Sequence, residues 1–287
     1  MDTFADRPRQ IDYARLDTLQ YLGNYVRRLP VNMARMMENA LDWEHLPYVH
    51  GSSFAALERL QSGSWGWRAR ALPAGEGQAW QLLELLLDSE RHYWATSVVE
   101  GPAANVEIHT QAIEAGPDEI EVDVRFYSSA PLAEEESALY LDVLQQQYAL
   151  LYDEDEILMS GRQAALDARQ ERSQRDPVVA AEYRVDLQAQ SQDSPITVDT
   201  DHGKFCVRKH EEEWVAHGAV CPHLLGPLTE SDVSPGGVIT CPWHGYQFDA
   251  RTGASVDGKC RALPTPPAVL LRDDTLILRF PGEASDA

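Results

Sequence analysis

The spacing of hydrophobic and polar positions switches between a helical and a strand-like period several times along the chain. Residues 28–46 place apolar side chains at helical spacing, which predicts a helix starting near Pro30, and Pro47 is expected to end or bend it. From about Ser64 to Ser128 the period becomes that of strands, over residues 65–72, 80–87, 92–99, 106–113 and 120–127. Gly, Pro, Asn and Asp separate these runs, so one antiparallel sheet is expected. Residues 131–172 then read as one long helix, with no internal Pro and a single Gly161. Strands followed by a long helix predict an α+β domain with the helix packed on the sheet. A polar stretch at residues 169–176 marks a boundary, and residues 183–280 form a run of short strands with turn residues between them. The expected organisation is therefore a first domain over 1–172, a linker over 173–182 and a small all-β domain over 183–287.

A chain of 287 residues with 44% hydrophobic content can bury the cores of two domains. The formal charge of −22 argues against a nucleic-acid partner, which requires a basic face to displace counterions from phosphates. No apolar run reaches the length of a membrane span, and the first residues lack the apolar stretch of a signal peptide. A soluble, cytoplasmic protein without a membrane partner is expected. Acidic runs at Glu134-Glu135-Glu136 and Glu211-Glu212-Glu213 read as solvated faces, whereas the run from Asp153 to Glu156 coincides with candidate chemistry. Of four cysteines, Cys206 and Cys260 are expected as small buried hydrophobes.

The other two belong to Cys221-Pro-His223 and Cys241-Pro-Trp-His244, separated by seventeen residues. Two thiolates and two imidazoles delivered from two short loops suit a metal centre. Structural zinc also takes two Cys and two His, although a zinc finger usually draws both Cys from one knuckle and both His from a helix. Here each loop mixes the two. A two-iron two-sulfur centre in which two His replace two Cys on one iron is the Rieske type. The spacing C-x-H, seventeen residues, C-x-x-H resembles that family, and Trp-His-Gly-Tyr-Gln-Phe-Asp at 243–249 resembles its oxygenase branch. Respiratory Rieske proteins add an inter-loop disulfide and a Ser; Gly226, Trp243 and Tyr246 stand at the corresponding places here. With fewer hydrogen bonds to the sulfurs, a potential toward the lower end of the Rieske range is expected.

A second constellation lies far upstream. Asn39, Asp42, His45 and His50 fit N-x-x-D-x-x-H-x-x-x-x-H. Asp42 and His45, three apart, share a helix face. His45 and His50 would point about 140° apart on a regular helix, so gripping one metal requires a bend, and Pro47 supplies a cause for one. Two His and one carboxylate on one face of an iron form the facial triad of non-haem iron oxygenases. The string resembles the iron-binding string of Rieske-type aromatic-ring-hydroxylating oxygenases. That resemblance implies a third ligand in a local string matched by Glu154-Asp155-Glu156-Ile157-Leu158-Met159, which selects Asp155, with Asp153 as the alternative. It also implies that Asn39 lies near the iron and that Asp42 links His45 to His223 or His244 of a neighbouring subunit.

For the whole chain the resemblance implies a helix-grip-like antiparallel sheet with a long helix, followed by a small all-β Rieske domain, which reverses the family's usual domain order. It implies a [2Fe-2S] cluster on Cys221, His223, Cys241 and His244, and a mononuclear Fe(II) on His45, His50 and Asp155. The expected activity is oxygenation of a small organic, aromatic substrate with O2. No nicotinamide or flavin motif is present, so an external reductase or ferredoxin is expected to supply electrons, and a homotrimeric ring to bring the centres together. Trp43, Tyr48, Val49, Phe54 and Leu158 are the candidate pocket residues. The alternative is a Rieske electron carrier or redox sensor with a non-catalytic N-terminal binding domain.

Overall fold

A computed structural model describes Phe4 and residues 7–174, 182–189 and 195–280. The chain divides into two compact units, Met1–Ser160 and Gly161–Ala287. The linker expected over 173–182 falls mostly on residues 175–181, outside the described residues.

The first unit is built from β1 (Gln20–Leu29), α1 (Met33–Leu41), α2 (Leu46–Val49), β2 (Phe54–Gly63), β3 (Gly66–Pro73), β4 (Gln81–Asp88), β5 (Tyr93–Glu100), β6 (Val106–Gly116), β7 (Glu119–Ser128) and α3 (Glu134–Ser173), whose last turns fall in the second unit. Seven strands form one antiparallel sheet in the order β1-β7-β6-β5-β4-β3-β2. Strands β2 to β7 meander, and β1 closes onto β7. Because β1 and β2 lie at opposite edges, residues 30–53 have to cross the sheet, and α1 and α2 make that crossing.

The sheet grips the long helix through one face. On β7, Ile120, Val122, Val124 and Phe126 alternate inward and are fully buried; leaving water stabilises the fold by about 1.5–3 kcal/mol for each such side chain. Phe126 meets Tyr148 of α3 edge-on at 5.3 Å. On β1, Gly23, Tyr25 and Arg27 alternate toward the same helix. A Cβ at Gly23 would lie 2.6 Å from Leu141, so glycine permits the close approach at the bulge between Tyr21 and Gly23. Tyr25 stacks on Tyr152, and Arg27 reaches Asp153 and Glu156.

The opposite face is covered near the N-terminus. Arg68 and Glu84 are paired there and almost fully buried. Arg68 also donates to the carbonyls of Phe4, Arg7 and Pro8, strapping that segment across the sheet.

The single helix expected over 28–46 is corrected to a strand end and two helices. Asn32 is the N-cap of α1, its side chain accepting the Arg35 N–H, so the helix starts after Pro30. Asp42 closes α1, and Pro47 sits within the first turn of α2, where its missing N–H costs nothing. Pro47 thus begins a helix and does not bend one. Strands β1 and β2 were not expected either. The Gly23 bulge breaks the alternation of β1, and β2 is an edge strand with two register shifts and a helix-favouring composition, Phe-Ala-Ala-Leu-Glu-Arg-Leu. The remaining five strands and α3 lie within three residues of their expected bounds.

The second unit contains β8 (Glu182–Asp186), β9 (Ile196–Thr200), β10 (Gly203–His210), β11 (Glu213–Gly218), β12 (Val238–Thr240), β13 (Gln247–Asp249), β14 (Ala268–Arg272) and β15 (Thr275–Arg279). Small antiparallel sheets form in the orders β11-β10-β9, β12-β13 and β14-β15-β8. Val185, Ile196, Phe205, Val207, Ala216, Leu276, Leu278 and Phe280 make its core. Gly161, in the part of α3 that groups with this unit, packs on Trp243; a Cβ there would lie 3.2 Å from the indole. The molecule is thus α+β, a helix-gripping antiparallel sheet followed by a small β unit. No helix among the described residues is long and apolar enough to cross a membrane.

Candidate metal centres

Crossing segment and long helix converge on three ligand atoms in the first unit. His45 is the N-cap of α2 and His50 its C-cap, so one helical turn, closed by Val49 N–H to His45 O and His50 N–H to Leu46 O, sets the two imidazoles at its ends. Their Nε2 atoms are 3.3 Å apart. Asp155 of α3 brings Oδ1 to 3.1 Å from Nε2 of His50 and 3.4 Å from Nε2 of His45. All three side chains are buried. Donor atoms bonded at about 2.0–2.2 Å to one first-row metal, with angles of about 90–110°, are separated by about 2.8–3.6 Å. His45, His50 and Asp155 therefore fit a single ion. Two imidazoles and one carboxylate are a donor set that suits a divalent first-row metal.

The electrostatics agree with that reading. Burial pushes the His45 imidazole down, but the Asp155 and Asp42 carboxylates overcome it and raise the group to about 9. Burial likewise opposes ionisation of Asp155, yet His45 and His50 hold it well below the usual carboxylate range. Asp42 Oδ2 lies 3.4 Å from Nδ1 of His45, an ion-pair approach too long for a strong hydrogen bond. Asn39, one turn earlier on α1, is buried with its side-chain oxygen unpaired.

The acidic run at 153–156 is divided by the helix. Asp153 and Glu156, three apart, take the two arms of Arg27 at 2.6 and 2.8 Å. Asp155 points to the imidazoles, and Glu154 Oε2 accepts from Nδ1 of His50 at 2.7 Å. Asp153, the alternative ligand, is on the Arg27 side with its side chain 64% exposed. Among the candidate pocket residues Leu158 is buried on α3, Tyr48 is exposed, and Trp43 lies under the Arg59 guanidinium.

In the second unit, Cys221 follows β11, and Cys241 opens the loop of the β12–β13 hairpin. The two loops repeat one geometry. Cys221 N–H donates to Gly226 O and Leu225 N–H to Cys221 O; Cys241 N–H donates to Tyr246 O and Gly245 N–H to Cys241 O. The fourth residue after each Cys is left-handed, Leu225 at φ 65° and Gly245 at φ 67°. Each loop therefore turns back on its own Cys and offers a His two or three residues later. The rings of His223 and His244 are 4.6 Å apart, and Tyr246 stacks on His223 at 4.5 Å. Gly226 lies against the second loop, where a Cβ would be 2.9 Å from Cys241 Sγ. The thiols interact directly: Cys221 holds the Cys241 thiol below its ordinary range, while Cys241 and burial push Cys221 up. All four cysteines are free thiols, Cys206 buried as expected and Cys260 half-buried. Two thiols and two imidazoles on paired loops suit a cluster with two Cys and two His.

Residues 179–270 match the family described as the Rieske [2Fe-2S] domain. The C-terminal unit carries a Rieske domain. Its four expected ligands lie in the paired loops, which supports the [2Fe-2S] cluster. The curated relatives that the chain matches include the chloroplastic pheophorbide a oxygenase of Oryza sativa subsp. japonica, 33% identical over 72 residues, which are 23% of this chain and 14% of that protein. Flavonoid 8-hydroxylase 2 of Ocimum basilicum, also chloroplastic, is 32% identical over 59 residues, 21% of this chain and 10% of that one. The matches thus span a seventh or less of these relatives' length. Among solved structures, the quaternary ammonium Rieske monooxygenase CntA aligns at a TM-score of 0.41 with 12% identity, covering 55% of this chain and 43% of that one.

Three contributors escaped the sequence reading: Arg27, Glu154 as a partner of His50, and the contact of Gly226 with Cys241. Arg27 and Glu154 act over separations of 126 and 104 residues that no local pattern reports.

Proposed function

We propose that this chain is a Rieske non-haem iron oxygenase, with the cluster on Cys221, His223, Cys241 and His244 and a mononuclear Fe(II) on His45, His50 and Asp155. The observation that carries the proposal is the approach of His45 Nε2, His50 Nε2 and Asp155 Oδ1 to within 3.4 Å of one another in a buried site. When bound, the two centres supply single-electron transfer and O2 activation. The protein's own part is to hold three ligands on one side, leave the other side open, and keep bulk water from the buried imidazoles. Asp42 orients His45 through Nδ1 and links it to His223 or His244 of a neighbouring subunit, and Asn39 lies beside the iron. The substrate is a small organic molecule, aromatic in our reading, and electrons come from a separate reductase or ferredoxin. Assembly as a homotrimer and a cytoplasmic location complete the proposal.

Iron stoichiometry tests it. The purified protein is expected to hold three irons per chain, one of them lost on His45→Ala with the cluster's absorbance intact, and to consume O2 when a reductase is supplied. Two irons per chain, both lost with the Cys/His set, would leave an electron carrier or sensor, and zinc at the triad would overturn the oxygenase.

A further inference from the structure

Glu154 has no role in the ligand set, yet it makes a shorter contact with His50 than any ligand atom does. Its Oε2 lies 2.7 Å from Nδ1 of an imidazole that is 2% exposed. A carboxylate can accept but not donate, so this contact requires the proton on Nδ1. In the neutral ring that leaves the lone pair on Nε2, the atom facing His45 and Asp155. Each triad imidazole thus has a carboxylate behind it, but unequally. Asp42 stands 3.4 Å from His45, whereas Glu154 is fully within hydrogen-bond reach of His50.

We propose that Glu154 is a positioning residue for the metal centre: it fixes the tautomer and ring plane of His50, so that helix α3 grips this one imidazole at both nitrogens. The inference rests on the triad holding iron. Glu154 and Asp155 are consecutive, and their side chains leave α3 about 100° apart. His50 fits between them, Nδ1 on Glu154 and Nε2 3.1 Å from Asp155. The flanking acids cannot substitute, because Arg27 holds Asp153 and Glu156. A carboxylate on the far nitrogen also makes the imidazole a stronger donor to a metal.

The test compares Glu154→Ala and Glu154→Gln in the full chain, read by Fe(II) titration and by the electron-spin-resonance signal of the ferrous–nitric oxide adduct. Losing such a partner weakens metal binding by about 10–100-fold, and Glu154→Ala is expected to do so with an altered adduct signal. Glu154→Gln keeps an acceptor at the same reach and is expected to recover most of the affinity. The absorbance of the Rieske cluster and the melting temperature verify that each variant is folded. Equal retention in both variants refutes any role, and equal loss in both refutes the hydrogen-bond role. If the wild type itself binds no Fe(II) that His45→Ala removes, the iron reading fails, which is a different result from an unchanged Glu154→Ala.

Discussion

Replacing Gly226 by Ala tests the geometry of the paired loops at their tightest point. The added Cβ would lie 2.9 Å from Cys241 Sγ and 3.1 Å from two atoms of the Trp243 ring. Non-bonded contacts of this kind settle at about 3.5–4.0 Å, so the thiol or its loop has to move by roughly 0.6–1 Å. Metal–ligand distances tolerate about 0.2 Å. The methyl group therefore displaces a ligand by several times what the cluster can absorb. Overpacking of this kind also costs about 1–3 kcal/mol in a rigid core, and neither neighbour can yield easily. Cys241 and Trp243 are buried, and the Cys241 backbone is tied to Tyr246 and Gly245. Iron per chain, visible absorbance and the electron-spin-resonance signal of the reduced protein are the assays. Gly226→Ala is expected to lose most of the cluster iron while the triad iron stays. Gly236→Ala is the control, since a Cβ there meets nothing closer than 3.8 Å. A Gly226→Ala protein with full iron content and an unchanged signal would mean that the paired loops accept the methyl group without moving Cys241.

The neighbouring acids of α3 should separate sharply: Asp155→Asn is expected to abolish iron at the triad, whereas Asp153→Asn, an exposed partner of Arg27, should keep the iron and cost at most about 1 kcal/mol in urea unfolding. In the first unit, Glu84→Ala leaves the buried Arg68 charge unpaired and should cost about 3–5 kcal/mol; Arg68→Met with Glu84→Leu should recover much of that loss, and a double variant as unstable as the single one would contradict it. His217 is fully buried, and burial, with Arg208 adding to it, lowers its imidazole from 6.5 to about 4. Between those values the unfolded chain holds a proton that the folded one does not, so stability is full above about pH 6.5 and falls as pH drops toward 4, by about 3 kcal/mol at most. Urea midpoints of the second unit at pH 7.5 and 5 measure the slope, which His217→Gln should flatten.

What the sequence disclosed was the chemistry that is local in the chain. The Cys-x-His and Cys-x-x-His loops each close on themselves within five residues, so their spacing alone announces a cluster. His45 and His50 were legible for the same reason, though the mechanism expected for bringing them together was not the one found. A bent helix was expected, while the structure caps a single turn with one His at each end. Asp155 came from the resemblance, because spacing cannot rank it above three acidic neighbours. What ranks it is the helical angle together with Arg27, a strand residue more than 120 positions upstream that claims Asp153 and Glu156. The first two strands were hidden by a bulge in one and a helix-like composition in the other.

The two centres consequently depend on the fold in different ways. The cluster ligands sit on loops whose shape is set by their own backbone hydrogen bonds and a short hairpin. The triad joins a six-residue stretch of the crossing segment to a helix residue 105 positions later than His50, and nothing local holds Asp155 in place. Its position follows from α3 being seated on the sheet, by Gly23 admitting Leu141, by Tyr25 and Phe126 meeting Tyr152 and Tyr148, and by Arg27 fixing the rotation of the helix about its axis. A turn of α3 by one residue, about 100°, would exchange Asp155 for Glu154 or Glu156 and leave the imidazoles without a correctly placed carboxylate. Arg27, by pairing with Asp153 and Glu156, favours the rotation of α3 that turns Asp155 toward the imidazoles. Loosening the helix from the sheet is therefore expected to weaken any metal binding at the triad, whereas the paired loops keep the backbone hydrogen bonds that shape them.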